Sequence, residues 1–575
     1  MIKFRYNDYL SQFVNTRGKC RGRATQEEKS RWGNHSDVTS GLETNMDPLL
    51  AAIKNGDVQR VHELATSCPL SLNENIDGWL PLHYAASIGK TECLKTLLKV
   101  HPESVDKRTL KEETALFLAV SREYLSCAQC LLQSGADPDI CDIDKTTPLL
   151  KACEIENEDM VSLLLSYGAN VNQRCRQSWT ALLEAVNTKN IEICEMLLNA
   201  GAMINLTNAY SFSPLHVATR IGYLKAVRFL IEKGADVHME NYSGLTALHE
   251  ACIHGFKDIV VTLLSKKADT CKYDNTKRLP IHYAAEYGHH EIVSLLLPMT
   301  RLHSTVSPLY LAAVHNRPSV ATVMLQTGAE VNAPFLQTFD KHAKSCTPLF
   351  TAVSCSSKET VEVLLKAGAR LDIDMYSPFL LAASRNCTRT VNLLLQHGAN
   401  VNTKMSCNPT AFPTAIAFCL DLKRLPLLKL LLDNGFDARA CFTCEYGAEA
   451  HPDSHCVSTC ISSAHTRTPA YCSTPHTRPM QFCELLSGCQ KSNWAGPLLD
   501  LLLEHVGQVQ LCSKLTELLD SSEEWKAIKT KSLSPRSLMH LCRAKIRTQM
   551  RGHIPRSVSS LPLPDRILSY LNVTP

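Results

Sequence analysis

The residues best suited to chemistry gather in one stretch of this chain. Between 441 and 479 stand Cys441, Cys444, His451, His455 and Cys456, then Cys460, His465, Cys472 and His476, interleaved with Ser, Thr and Pro. Thiolates and imidazoles are the donors of tetrahedral zinc, and Cys441-x2-Cys444 followed by His and Cys supplies enough of them. Only one such knuckle is present, whereas a RING-type zinc domain needs several in order. The stretch is therefore read as an insertion between helices whose cysteines stay free, with no metal assigned. The chain has no phosphate-cradling Gly-x4-Gly-Lys-Ser/Thr loop, no Gly-x-Ser-x-Gly elbow and no His-Glu-x2-His. The histidines His83, His216, His249 and His282 recur at one fixed place in a helix start, where their side chains can bond neighbouring backbone. The expectation is a non-enzymatic chain without a cofactor.

The elements that position these residues follow a period. Pro48, Pro81, Ala115, Pro148, Ala181, Pro214, Ala247 and Pro280 are spaced 33 or 34 residues apart. Around them stand Leu80-Pro-Leu-His-Tyr-Ala-Ala, Ser213-Pro-Leu-His-Val-Ala, Thr246-Ala-Leu-His-Glu-Ala and Leu279-Pro-Ile-His-Tyr-Ala-Ala. These stretches resemble the ankyrin repeat, whose signature is Thr-Pro-Leu-His-x-Ala on a 33-residue period. Thr or Ser before Pro caps a first helix, and a small Ala lets neighbouring repeats approach. A second helix offers Leu pairs to the core and ends in Gly135, Gly168, Gly201 or Gly234, where a left-handed residue is wanted. A lone repeat cannot bury its own face, so stacking must supply the core. The helical cysteines Cys93, Cys127, Cys130, Cys153, Cys194 and Cys252 then read as small buried hydrophobes.

After Leu297 the spacing changes. Pro308, Pro348, Pro378 and Pro413 follow at 28, 40, 30 and 35 residues, which makes twelve repeats, eight regular and four irregular. A missing hairpin near Pro298 predicts a bend or loosened interface there. The organisation expected is a polar mobile tail at 1–45, a repeat array at 46–440 with its irregularity near 298–346, the Cys/His-rich insertion at 441–479, and a terminal helical cap at 480–525. A short C-terminal module at 532–575 completes it. The whole is all-α.

Bulk numbers narrow the class. The 25 cysteines form an odd set, and the charged start Met1–Leu10 does not read as a secretory signal. Reduced thiols in the cytosol or nucleus are expected. No apolar run approaches membrane-spanning length, so no membrane insertion is expected. From Lys526 to Pro575 ten Lys and Arg face one acid, Asp565, a net +9 within an overall +4. With only Tyr570 as a stacking ring after Trp525, nucleic acid is not the expected partner. For a protein partner, the residue preceding each helix cap is a candidate contact. Trp179, Phe212 and Leu245 fall in register there, with Trp79 further upstream; the alternative is that each ring packs on its neighbouring hairpin.

The C-terminal module carries two signals. Ser534 and Pro535 begin a helix on which Leu538, Cys542 and Ile546 recur every four residues with Leu541 beside them, forming an apolar stripe. Downstream stands Leu561-Pro562-Leu563-Pro564, then Ile567, Tyr570 and Leu571. Together with the repeats, this module resembles the ankyrin repeat and SOCS box family of ubiquitin ligase receptors. The resemblance implies an ankyrin solenoid followed by a small helical SOCS box. It implies an elongin-binding box at Leu538, Leu541, Cys542 and Ile546, which would take elongin C and with it elongin B. It implies a cullin box at Leu561, Pro562, Leu563, Pro564, Ile567, Tyr570 and Leu571, whose Leu-Pro-Leu-Pro form points to cullin-5 and a RING-box protein. The array would hold a protein substrate, filamin-like by the same resemblance, in the cytoplasm with a cytoskeletal association or a nuclear pool. The alternative is a plain ankyrin scaffold that recruits no ligase.

Overall fold

A computed structural model describes residues 48–533, apart from 68–77, 176, 301–306, 334–345, 375, 406–409, 448, 450, 452–478, 488–493 and 507–508. The expected tail at 1–45 and the module from 534 onward lie outside the described residues. The chain divides into two compact units, residues 1–236 and 237–575.

In the first unit six helix pairs follow one another, from Pro48–Asn55 with Val58–Ser67 to Pro214–Arg220 with Leu224–Glu232. The sequence period is legible in the caps. Thr147 Oγ1 accepts the Leu150 amide at 3.1 Å, and Thr114 does the same for Phe117 at 3.1 Å. At Leu80, which has no side-chain oxygen, His83 compensates. Its Nδ1 accepts the Leu80 amide at 2.9 Å, while Nε2 donates to the Lys107 carbonyl of the next repeat at 2.9 Å. The buried imidazole thus satisfies a helix start and ties two repeats.

Hairpins repeat as regularly. Asp142 Oδ1 accepts the Asp144 and Thr146 amides at 3.0 and 2.7 Å, and Asn208 Oδ1 accepts those of Tyr210 and Phe212, both at 2.9 Å. A side-chain ladder links successive repeats. Asp106, Asp139, Asn172 and Asn205 each accept, through Oδ1, a backbone amide 31 residues on, at 2.8–3.1 Å. Between the helices lie Leu116, Leu131, Leu149, Leu164 and Leu182, all fully buried; each contributes ~1.5–3 kcal/mol. Cys93, Cys127, Cys153 and Cys194 are free, buried thiols among them, as the sequence predicts. Burial pushes the Cys194 thiol up to about 12, so it is inert at neutral pH.

The second unit begins with five further pairs, Ala247–His254 with Lys257–Ser265 through Pro378–Ser384 with Thr388–Gln396. A sixth follows, in which the 3-10 helix Thr414–Phe418 stands in for the first helix and Leu425–Asp433 is the second. The loosened interface expected at Pro298 is not found. Pro280–Tyr287 packs on Pro308–Val314, and His290–Leu296 on Pro318–Gln326. A 3-10 turn, Leu297–Met299, follows His290–Leu296 directly, with Thr270 Oγ1 donating to the Met299 carbonyl at 2.9 Å. Arg317 Nε donates to the Glu286 carbonyl at 2.9 Å across the same junction.

Among its described residues the terminal cap has four helices: Phe482–Ser487, Ala495–Leu503, Ser513–Asp520 and Glu523–Leu533. The last runs beyond the expected boundary at 525, up to the edge of the C-terminal module. Phe482 meets Phe412 edge-on at 5.5 Å, and Ala411 donates to the Met480 carbonyl at 3.0 Å. Gly496 allows Trp525 to lie against its helix, because an added Cβ would stand 2.4 Å from the indole nitrogen. Among the described residues no helix is long and apolar enough to cross a membrane. Outside the helices an isolated bridge joins Thr410 and Met480.

Candidate functional site

The recruitment residues read from sequence, Leu538, Leu541, Cys542 and Ile546 with Leu561, Pro562, Leu563, Pro564, Ile567, Tyr570 and Leu571, lie outside the described residues. What leads into them is described. Glu523–Leu533 packs on Ala495–Leu503 and on Ser513–Asp520. Lys531 Nζ stands 2.5 Å from Asp500 Oδ1 and 3.4 Å from Glu504 Oε1; Lys529 pairs with Asp520 at 2.7 Å, and Lys526 with Glu523. Part of the basic excess counted from 526 onward is therefore neutralised within the cap. Lys529 and Lys531 tie the helix that precedes the module to its two neighbours.

Two of the four expected substrate contacts require correction. Phe212 is 2 % exposed and Leu245 also 2 %. The cause is the Asx turn upstream: Asn208 Oδ1 holds the Phe212 amide, and Asn241 Oδ1 holds that of Leu245 at 3.0 Å. The chain is thereby folded inward, and Phe212 meets His216 edge-on with Arg220 over its face at 5.3 Å. Trp179 is half-buried and donates from Nε1 to Glu184 Oε2 at 2.6 Å. Trp79 packs on Tyr84 at 5.0 Å. Several apolar side chains reach solvent, helix residues such as Val261 included, and three of the most exposed sit in hairpins. Leu110 (69 % exposed) and Ile143 (61 %) are in the first unit, and Tyr242 (76 %) is in the second. They directly follow the turn residues Thr109, Asp142 and Asn241. That position, one after the residue whose side chain closes the turn, is the sequence signal that would have found them.

The Cys/His stretch also rearranges the sequence reading. The Cys441-x2-Cys444 knuckle does not close on itself, since Cys441 is buried at the end of the 3-10 helix Ala438–Cys441. Cys444 instead joins His451, Cys483 and Cys512, whose donor atoms all lie within 4.8 Å of one another. A hydrogen bond with Cys483 pulls the Cys512 thiol below its ordinary value. Cys483 and Cys512 lie outside the Cys/His-rich stretch, so no local spacing marks them.

Comparison with known proteins bears on both parts of the chain. Ankyrin repeats match residues 49–142, 116–208, 200–274, 269–335 and 334–405, and the SOCS box matches 534–572. Ankyrin repeat and SOCS box protein 2 of Rattus norvegicus is 50% identical over 532 residues, covering 92% of this chain and 82% of that protein. The Homo sapiens protein of that name is 50% identical over 533 residues, 91% and 82%. Ankyrin repeat and SOCS box protein 14 of Mus musculus is 34% identical over 286 residues, 48% of this chain and 46% of that protein. Among solved structures, the ankyrin repeat domain of Bcl-3 aligns with a TM-score of 0.34 and 30% identity over 36% of this chain and 93% of that one. Repeats and box, joined in one chain as in these relatives, make it a member of the ankyrin repeat and SOCS box family.

Proposed function

We propose that this chain is the substrate-recognition subunit of a cullin-RING ubiquitin ligase, itself non-catalytic. The observation that carries the proposal is the SOCS box at 534–572 behind a long ankyrin array. In the box, Leu538, Cys542 and Ile546 offer elongin C an apolar stripe, with elongin B joining through it. Leu561-Pro562-Leu563-Pro564 and the residues after it take the cullin, cullin-5 by the form of the motif, together with its RING-box protein. The repeats hold a protein substrate through the hairpin-tip residues, Leu110 and Ile143 in one unit and Tyr242 in the other. A filamin-like substrate is the reading that similarity to the 50%-identical relatives suggests, and the cytoplasm is the expected setting.

The gain in rate is positional. Holding a substrate lysine near a charged conjugating enzyme raises their effective concentration, and the chain needs no acid, base or nucleophile of its own. Two substitutions at once, Leu538→Ala and Cys542→Ala, test the assignment. Truncating buried anchors costs ~2–4 kcal/mol each, so elongin C should no longer co-purify with the full chain. Undiminished co-purification would leave the plain scaffold as the better reading.

A further inference from the structure

We propose that Cys444, His451, Cys483 and Cys512 form a structural zinc site that locks the terminal cap of the second unit. The proposal is independent of the ligase assignment.

The four donors come from three places. Cys444 and His451 lie in the segment after the 3-10 helix Ala438–Cys441. Cys483 is in the helix Phe482–Ser487, and Cys512 is the N-cap of Ser513–Asp520. Cys444 Sγ stands 3.1 Å from His451 Nε2, Cys483 Sγ stands 3.3 Å from the same nitrogen, and the two sulfurs are 3.7 Å apart. A tetrahedral zinc with Zn–S of about 2.3 Å and Zn–N of about 2.0–2.1 Å sets its sulfurs about 3.8 Å apart and sulfur and nitrogen about 3.6 Å apart. These three edges fall inside those lengths, by about 0.1 Å between the sulfurs and about 0.3–0.5 Å between sulfur and nitrogen, and Cys512 Sγ lies within 4.8 Å of the other three donors. A disulfide needs sulfurs at about 2.05 Å, far closer than these two stand.

The hydrogen bonds around the cluster select the imidazole tautomer a metal needs. Ser513 Oγ donates to the Glu449 carbonyl at 3.0 Å, so toward His451 Nδ1, 3.2 Å away, it can only accept. Nδ1 therefore carries the proton, and the Nε2 lone pair faces the sulfurs. A second partner that fixes the ring and leaves one nitrogen free to ligate is the usual outer arrangement of a metal-bound histidine. The backbone joins the same pieces, since Ser513 donates its amide to the Gly447 carbonyl at 3.1 Å. Cys483 and Cys512 are 3 % and 2 % exposed, as suits a closed structural site with no position kept open for a substrate. Three thiolates and one imidazole favour zinc over the hard cations, which prefer oxygen. Binding would cross-link positions 68 residues apart in sequence, from Cys444 to Cys512, so that metal affinity becomes folding stability.

The test is metal analysis of the full chain, purified reduced and without chelator, by inductively coupled plasma mass spectrometry. About one zinc per chain is expected. The paired substitutions Cys483→Ser and Cys512→Ser should bring it to background. Cys456→Ser, Cys460→Ser and Cys472→Ser together should leave it unchanged. A folded, metal-free wild-type chain, zinc retained in the first variant or zinc lost in the second would each overturn the site, as would a Cys444–Cys483 disulfide found in the reduced-purified protein. Should the first variant fail to fold, cobalt(II) exchanged into the unmutated chain decides. Tetrahedral visible bands with thiolate charge transfer are expected, and octahedral cobalt would contradict the proposal.

Discussion

Histidine and cysteine occur in both the repeats and the terminal cap, in opposite roles. In the second unit's first repeat the buried His249 takes the Thr246 amide on Nδ1 at 3.1 Å and faces the Arg278 carbonyl with Nε2 at 3.4 Å. Its ring is used up on the backbone, and the fully buried Cys252 of the same helix is raised by burial alone. In the cap, His451 gives one nitrogen to Ser513 and turns the other to Cys444 and Cys483. Residue type therefore says little about role. What decides it is whether both ring nitrogens face carbonyls and amides or one of them faces sulfur.

That contrast can be broken at several points. The largest effect is expected from His451→Ala, or from a strong chelator applied to the wild type. Either should lower the unfolding midpoint of the cap markedly while leaving the helical signal of the repeats; far-ultraviolet circular dichroism follows the repeats, and limited proteolysis with mass spectrometry of the fragments follows the cap. Next, His282→Ala should destabilise its unit by about 2–4 kcal/mol in urea unfolding without changing metal content. The reason is that it empties a fully buried site and strands the Leu279 amide now bonded to Nδ1 at 2.8 Å.

The third effect is a pH dependence. Burial pushes His249 down to about 4, so the folded state keeps it neutral where the unfolded state, near 6.5, already binds a proton. Its contribution is fully present above about pH 6.5 and is lost as pH falls toward 4, on the order of 3 kcal/mol across that window. His249→Gln should flatten this part of the stability–pH curve. The smallest effect is expected from Cys252→Ala, about 1 kcal/mol from a lost buried sulfur, again with no change in metal content.

The repeats were legible because their information is local. A Thr or Ser oxygen, a Pro and a His within four positions specify a cap whose partners lie three residues away, and the 33-residue period then sets the stacking. Even the break after Leu297 keeps that logic, since Pro308 starts a helix that packs where an unbroken repeat would. The cap's cluster was not legible in this way. Its donors span Cys444 to Cys512, and the one local signal, Cys441-x2-Cys444, paired a buried core cysteine with a cluster member. Phe212 and Leu245 failed as surface residues for a related reason. Their side-chain types suggested hot spots, but turn side chains four residues upstream, Asn208 and Asn241, draw them inward. Tip residues such as Leu110 and Ile143, one position after the turn-closing Thr109 and Asp142, are left exposed.

The central claim, that repeats choose and the C-terminal module recruits, is tested most directly by separating its two motifs. Full-length chain carrying Pro562→Ala and Pro564→Ala, isolated from cells expressing elongins B and C and cullin-5, should retain elongin C and lose cullin-5. Retention of cullin-5 at wild-type level would contradict the account.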